Sequence, residues 1–153
     1  MWPFKKKPVE SSTAPPADTW TTCQSEREGK PMIVRINTAV DRDRADPQLP
    51  TRLDVSVLLN SPNAQGLPNS VETPTLNRIE ERIVKALAMS GCGRLVLVVT
   101  TGGVRELVCY VRDADAAMSI VTQTWGVARK LKMQHVVQPD PQWALFKKFA
   151  AST

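Results

Sequence analysis

Leu95-Val96-Leu97-Val98-Val99, near the middle of the chain, runs through Thr100-Thr101-Gly102-Gly103 into Val104-Arg105-Glu106-Leu107-Val108-Cys109-Tyr110-Val111. Five consecutive apolar residues leave no polar face, so residues 95–99 read as a strand covered on both sides. Thr101-Gly102-Gly103 is a tight turn, and residues 104–111 form the next strand. This pair sits at the centre of the fold, and the rest can be placed around it.

Gly91-Cys92-Gly93, just upstream, ends a helix, because glycine accepts the left-handed conformation of a helix terminus. That helix is expected to start at Thr75 as N-cap. Leu76, Ile79, Ile83 and Leu87 repeat at helical spacing, Val84 widens the stripe, and Glu80, Glu81, Arg82 and Lys85 take the wet side. Downstream, Asp113 caps a second helix running to about Trp125, with Met118, Val121 and Trp125 on one side. Leu53, Val55, Val57 and Leu59 alternate with Asp54 and Ser56 as a half-buried strand, and residues 133–138 form a last short one. Residues 60–74 are a loop containing Gly66-Leu67-Pro68.

From residue 52 the order is therefore strand, helix, strand, strand, helix, strand. This predicts an α+β fold with a ferredoxin-like split β-α-β core. In that arrangement the two helices cover one sheet face and the other is open. The doubly apolar run at 95–99 requires a second shield, and two spare elements can supply it. One is an N-terminal β-hairpin, residues 19–26 and 31–37 flanking Glu28-Gly29-Lys30. The other is a C-terminal helix opened by Pro141 and carrying Trp143, Leu145, Phe146 and Phe149. Within Asp140-Pro141-Gln142-Trp143, Asp140 can cap that helix, Pro141 suits its first turn, and Trp143 with Phe146 can seal the sheet.

A chain of 153 residues with 42% hydrophobic and 23% charged residues fits one domain with a real core. Residues 19–150 are expected to form it. Residues 1–18, with Lys5-Lys6-Lys7, Ser11-Ser12-Thr13 and Pro15-Pro16, have the composition of a flexible tail. The net charge of +5 is local. Residues 20–124 balance, while Arg129, Lys130, Lys132, Lys147 and Lys148 face Asp140 alone in the C-terminal region. Cys23, Cys92 and Cys109 show no paired spacing and read as reduced thiols, Cys109 packed and Cys92 more exposed. Lysines follow Met1-Trp2-Pro3-Phe4 at once, which does not make a signal peptide, and no apolar window reaches the length of a membrane span. The expected setting is the cytoplasm.

Reactive constellations are not apparent. His135 is the lone histidine, and neither it nor Cys92 sits in a nucleophile signature. Clustered zinc ligands are missing. Asp41, Asp43 and Asp46 crowd one loop, but Arg42 and Arg44 between them would repel a cation. Gly102-Gly103 joins two strands instead of entering a helix, so it makes no phosphate cradle. No catalytic residue, metal ligand or cofactor is therefore assigned. RNA-recognition domains present aromatics on an open sheet face. Here that face would offer Val108, Tyr110 and Arg112 from one strand and Asp54, Ser56 and Leu58 from another. Tyr110 and Arg112 are the binding candidates from that face, and Trp143 of the closing segment is a third if it is exposed.

The landmarks occur in a recognisable order. Trp20 precedes the hairpin and Gly66-Leu67-Pro68 precedes the first helix. The strand-turn-strand from Leu95 to Val111 carries Tyr110, with Asp113 after it, and Asp140-Pro141-Gln142-Trp143 is followed by Phe146. Over about residues 19–149 this order resembles a bacterial family of domains of unknown function, numbered 695 (DUF695). Such domains can occur joined to a regulator that inhibits ribonuclease E, so the resemblance implies a regulatory context. The family tends to place tyrosine where this chain has Phe146, which favours packing over a polar role there. The leading expectation is a non-catalytic protein-interaction or regulatory domain whose partner is a protein. Behind it stand an RNA-associated regulator using the basic C-terminal region, and an enzyme with dispersed active-site residues.

Overall fold

A computed structural model describes residues 17–125 and 131–152. The expected tail lies almost entirely outside the described residues, as do Arg129 and Lys130. Asp18 already belongs to the fold, its Oδ1 accepting from Asn37 at 2.8 Å and from Arg94 at 3.0 Å.

The hairpin consists of β1 (Trp20–Arg27) and β2 (Lys30–Asn37), in register from Trp20 opposite Asn37 to Arg27 opposite Lys30. Glu28 and Gly29, at φ 54° and 78°, make the left-handed two-residue turn whose twist matches the strands it joins. The remaining elements are β3 (Thr51–Leu58), α1 (Thr73–Ser90), β4 (Gly93–Thr101), β5 (Val104–Val111), α2 (Ala114–Trp125), β6 (Lys132–Pro139) and α3 (Ala144–Ala151). One six-stranded sheet runs β1-β2-β4-β5-β3-β6, with every pair of neighbours antiparallel. The hairpin extends the sheet beside β4 and leaves its faces to other elements.

The first face carries Leu53, Val55 and Val57 of β3, Leu107, Cys109 and Val111 of β5, and Leu95 and Val98 of β4. They pack against Leu76, Ile79, Ile83 and Leu87 of α1 and Ala117, Val121 and Trp125 of α2. The second face carries Met32, Val34 and Ile36 of β2, Val108 and Tyr110 of β5, and Val96, Leu97 and Val99 of β4. A bulge explains the uneven share of β4. Leu95 pairs with Cys109 and Leu97 with Val108, so Val96 is an extra residue, and both Val96 and Leu97 join the second face. The second cover is α3 with Trp143, Phe146 and Ala150, joined by Val40 and Leu49 from the loops. The expected shielding of the 95–99 run is thus supplied by the closing helix.

Three local details differ from expectation. Helix α1 begins at Thr73, with Glu72 and not Thr75 at its N-cap. Asn69 Oδ1 accepts the N–H groups of Val71 and Glu72, while the Glu72 carboxylate turns back to the N–H groups of Asn60 and Ser61. Helix α3 begins at Ala144, so Pro141 lies in the preceding turn, and Trp143 at φ 57° makes the entry. Glu80 does not take the wet side. It is buried, 2.8 Å from Arg35 and 3.8 Å from Arg105, tying α1 to β2 and β5. Arg35 also lies over the Trp20 ring at 5.0 Å.

The long loop before α1 is anchored at one glycine. Gly66, at φ 82°, packs so closely on the β4–β5 turn that a Cβ there would stand 3.0 Å from the Gly102 backbone. Gly103 N–H donates to the Gly66 carbonyl at 2.8 Å, and Leu59 N–H donates to the Gly103 carbonyl at 2.9 Å. The Gly66-Leu67-Pro68 landmark is therefore a docking point between loop and sheet.

Candidate functional site on the second sheet face

Helix α3 covers only the end of the second face near Val111, Thr51 and Pro139. Its seat is built from a short polar chain. Asp140 N–H donates to the Pro50 carbonyl at 3.0 Å, and Asp140 Oδ1 accepts Ala144 N–H at 2.8 Å, so Asp140 holds the first turn of α3 from three residues ahead of its N-cap, Trp143. Tyr110 Oη donates to Asp140 Oδ2 at 2.7 Å and accepts Phe146 N–H at 3.3 Å. Trp143 stacks on Tyr110 with centroids 4.2 Å apart and planes 11° apart, and meets Phe146 edge-on at 5.9 Å. Trp143 Nε1–H is satisfied by the Leu49 carbonyl at 2.9 Å.

Electrostatics follow this geometry. Burial alone would raise the Asp140 carboxyl. The Ala144 N–H, the Tyr110 hydroxyl, the Leu145 N–H and the Arg52 guanidinium outweigh burial and hold it below the ordinary carboxylate value. Tyr110 is pushed upward, first by burial and then by its bond to the Asp140 carboxylate. Arg52 joins this end to the next. Its Nη1 lies 3.8 Å from Asp140, its Nε donates to Asp54 at 3.0 Å, and its Nη2 donates to Gln138 at 2.8 Å. Asp54 moves the other way from Asp140. Burial raises its carboxyl, Arg52 opposes that, and the nearby Glu106 charge adds to it.

Beyond Asp54 the face is open. A basin of 610 Å³ is lined by Ser56 and Leu58 of β3, Val104 and Glu106 of β5, Val99 and Thr101 of β4, and Gln134 of β6. Arg27, Glu28 and Lys30 of the hairpin turn form its far wall. Ser56 pairs directly with both Glu106 and Gln134, so three polar side chains cross three adjacent strands in one row. Glu106 is half-buried and makes no ion pair among the described residues. The basin has a mixed floor, with charges of both signs around it.

The residues expected to bind fall elsewhere. Tyr110 is 0% exposed and Trp143 2%, so the two are brought together, but as the core beneath α3. The expected aromatic platform is therefore covered. Arg112 is exposed past the end of β5 and reaches Gln48 at 3.4 Å, away from the basin. His135 is exposed on edge strand β6, while Cys92 is half-buried just before β4, three strands away across the sheet. Cys109 is fully buried, and burial pushes its thiol up to about 12, so it is an inert packing group. The carboxylates of Asp41 and Asp46 accept the N–H groups of Asp43 and Gln48 and stiffen the loop they crowd. Among the described residues no group of three or more His, Cys, Asp or Glu could hold a metal ion, and no helix is long and apolar enough to cross a membrane.

Sequence reading missed Glu106, Gln134 and the role of Ser56 in one row. A signal was present in β5, whose second-face positions change from Val104 and Glu106 to Val108 and Tyr110 halfway along. Residues 18–150 match the family of unknown function DUF695. The chain belongs to this family. No curated protein and no solved structure matches it. Within DUF695 the chain brings the Asp140-Pro141-Gln142-Trp143 segment to the closed end of the second face, and its basin to the open end.

Proposed function

We propose that this DUF695 domain is a non-catalytic protein-interaction module that receives a partner on the open half of its second sheet face. The observation that carries this reading is the partial cover by α3, which leaves the basin bounded by Ser56, Glu106, Gln134 and the hairpin turn. A ferredoxin-like unit of β3 to β6 with α1 and α2 is part of the same reading. The strand order β4-β5-β3-β6 supports it, with the hairpin as an addition at the β4 side. A cytoplasmic setting fits three unpaired cysteines. The absence of catalysis fits a buried, inert Cys109 and an isolated His135.

The test uses a substitution that fills the basin without changing its charge. Ser56→Trp should keep the thermal midpoint within a few degrees, because Ser56 points to the open face. Affinity capture from a native lysate should then retain a partner protein on the wild-type chain and lose it on the variant. Identical captured proteins on both chains would refute the basin as the contact surface.

A further inference from the structure

We propose that the basin recognises a basic segment of its partner, an extended stretch whose lysine or arginine side chain reaches Glu106. This inference rests on the reading of the basin as a contact surface and names the chemistry of what fills it.

The first support is the charge left over on the floor. The Arg52 guanidinium is committed to Asp54, Gln138 and Asp140, so among the described residues Glu106 has no guanidinium partner on its own side of the basin. The Lys30 and Arg27 side chains on the hairpin wall make no ion pair with it within 4.0 Å. Glu106 and Asp54 lie on the same face of adjacent strands, at diagonal positions in the β3–β5 register. A cation entering the basin meets the Glu106 carboxylate, while Asp54 behind it is held by Arg52 at 3.0 Å. Ser56 sits beside Glu106 in the same row, with Gln134 one strand further on, and the Ser56 hydroxyl supplies an oxygen to a remaining donor of an ammonium or guanidinium.

The second support is the apolar part of the lining. Leu58 and Val104 lie beyond Glu106 toward the β4–β5 turn, and Val99 lies directly beside it. They offer a surface for the alkyl stem of a long basic side chain, which buries its methylenes while its charge is held elsewhere.

The third support is extent. The lining reaches from Gln134 on β6 to Arg27 on β1, the two edges of a six-stranded sheet. Five strand spacings of about 4.8 Å span roughly 24 Å, the length of about seven extended residues. A lone amine would leave most of that length unfilled. The Arg27 and Lys30 side chains at the far wall then face the backbone carbonyls or an acidic residue of the same segment.

The probes are three capped heptapeptides alternating leucine with lysine, glutamate or glutamine, titrated into the full chain while backbone amide resonances are followed. The lysine peptide should bind saturably and shift the amides of Ser56, Glu106 and Gln134. The glutamine and glutamate peptides should bind at least about tenfold more weakly. Glu106→Gln should weaken the lysine peptide about five- to tenfold. Glu106→Lys should abolish it and improve the glutamate peptide. Equal affinity for the lysine and glutamine peptides, shifts that map to another surface, or an unchanged affinity in Glu106→Gln would each overturn the proposal. Its failure is separable from that of the broader reading. A lysate partner lost with Ser56→Trp but kept with Glu106→Lys leaves the contact surface standing and removes the basic segment. A partner kept with both removes both.

Discussion

The two halves of the second sheet face share the same strands yet have opposite fates. At one end Val108, Tyr110, Trp143 and Phe146 make a dry contact under an eight-residue helix. At the other, Ser56, Glu106 and Gln134 line open space. A change of residue type along β3 and β5 accompanies the difference, with Arg52 and Asp54 at the boundary. The comparison shows that a sheet face need not be assigned as a whole. A short helix held by one carboxylate can close half of it and leave the rest for contact.

Substitutions should break the closed half in graded steps and leave the open half nearly neutral. Trp143→Ala has the largest expected effect, about 3–5 kcal/mol of stability in denaturant unfolding, as for other buried aromatics. A loss below about 1 kcal/mol would show that α3 is not seated by its tryptophan. Asp140→Ala comes next, at roughly 2–3 kcal/mol, because it removes the acceptor for two helix N–H groups and strands the Tyr110 hydroxyl. The Asp140 carboxyl is held below 3.8, so its share of stability is present at neutrality and is lost as pH falls through the folded value. Acid unfolding curves should therefore be shallower in Asp140→Ala than in the wild type.

Tyr110→Phe keeps the stack on Trp143 and removes one hydrogen bond, for an expected loss of about 1–1.5 kcal/mol by the same unfolding measurement. The boundary residue responds in the opposite sense to pH. Burial raises the Asp54 carboxyl, so the stability linked to its protonated form is fully present below 3.8 and is lost as pH rises through the higher folded value. The stability difference between wild type and Asp54→Asn should thus move against the wild type on going from acid to neutral pH. A pH-independent difference would mean that Arg52 fully compensates the charge. Glu106→Gln, in the open half, should change stability by less than about 0.5 kcal/mol. A larger loss would make Glu106 part of the core instead of the floor of a site.

Periodic signals made most of the fold legible. Leu76, Ile79, Ile83 and Leu87 marked α1 because a helix repeats every 3.6 residues, and the unbroken run at 95–99 announced a second cover. Glu80 escaped because its partners come from strands distant in sequence: Arg35 lies 45 residues away. Tyr110 was placed on the correct face. Its burial depends on α3, whose entry requires Trp143 in a left-handed conformation that few sequence signals encode. The basin was the least legible feature. It is made of single side chains on several strands and the hairpin turn, and only the register aligns them.

The bulge at Val96 has a consequence for how this sheet can change length. Loss of a residue from a regular strand turns over every side chain beyond the gap, exchanging the two cores. Loss of Val96 would instead restore simple alternation, because Leu95 and Leu97 already pair with neighbouring residues of β5. The deletion would remove one valine from beneath α3 and relax the local bend. It would leave each remaining residue of β4 on its present side. The centre of the sheet therefore contains a point at which the reading of inside and outside survives a one-residue shortening, a form of tolerance usually found in loops.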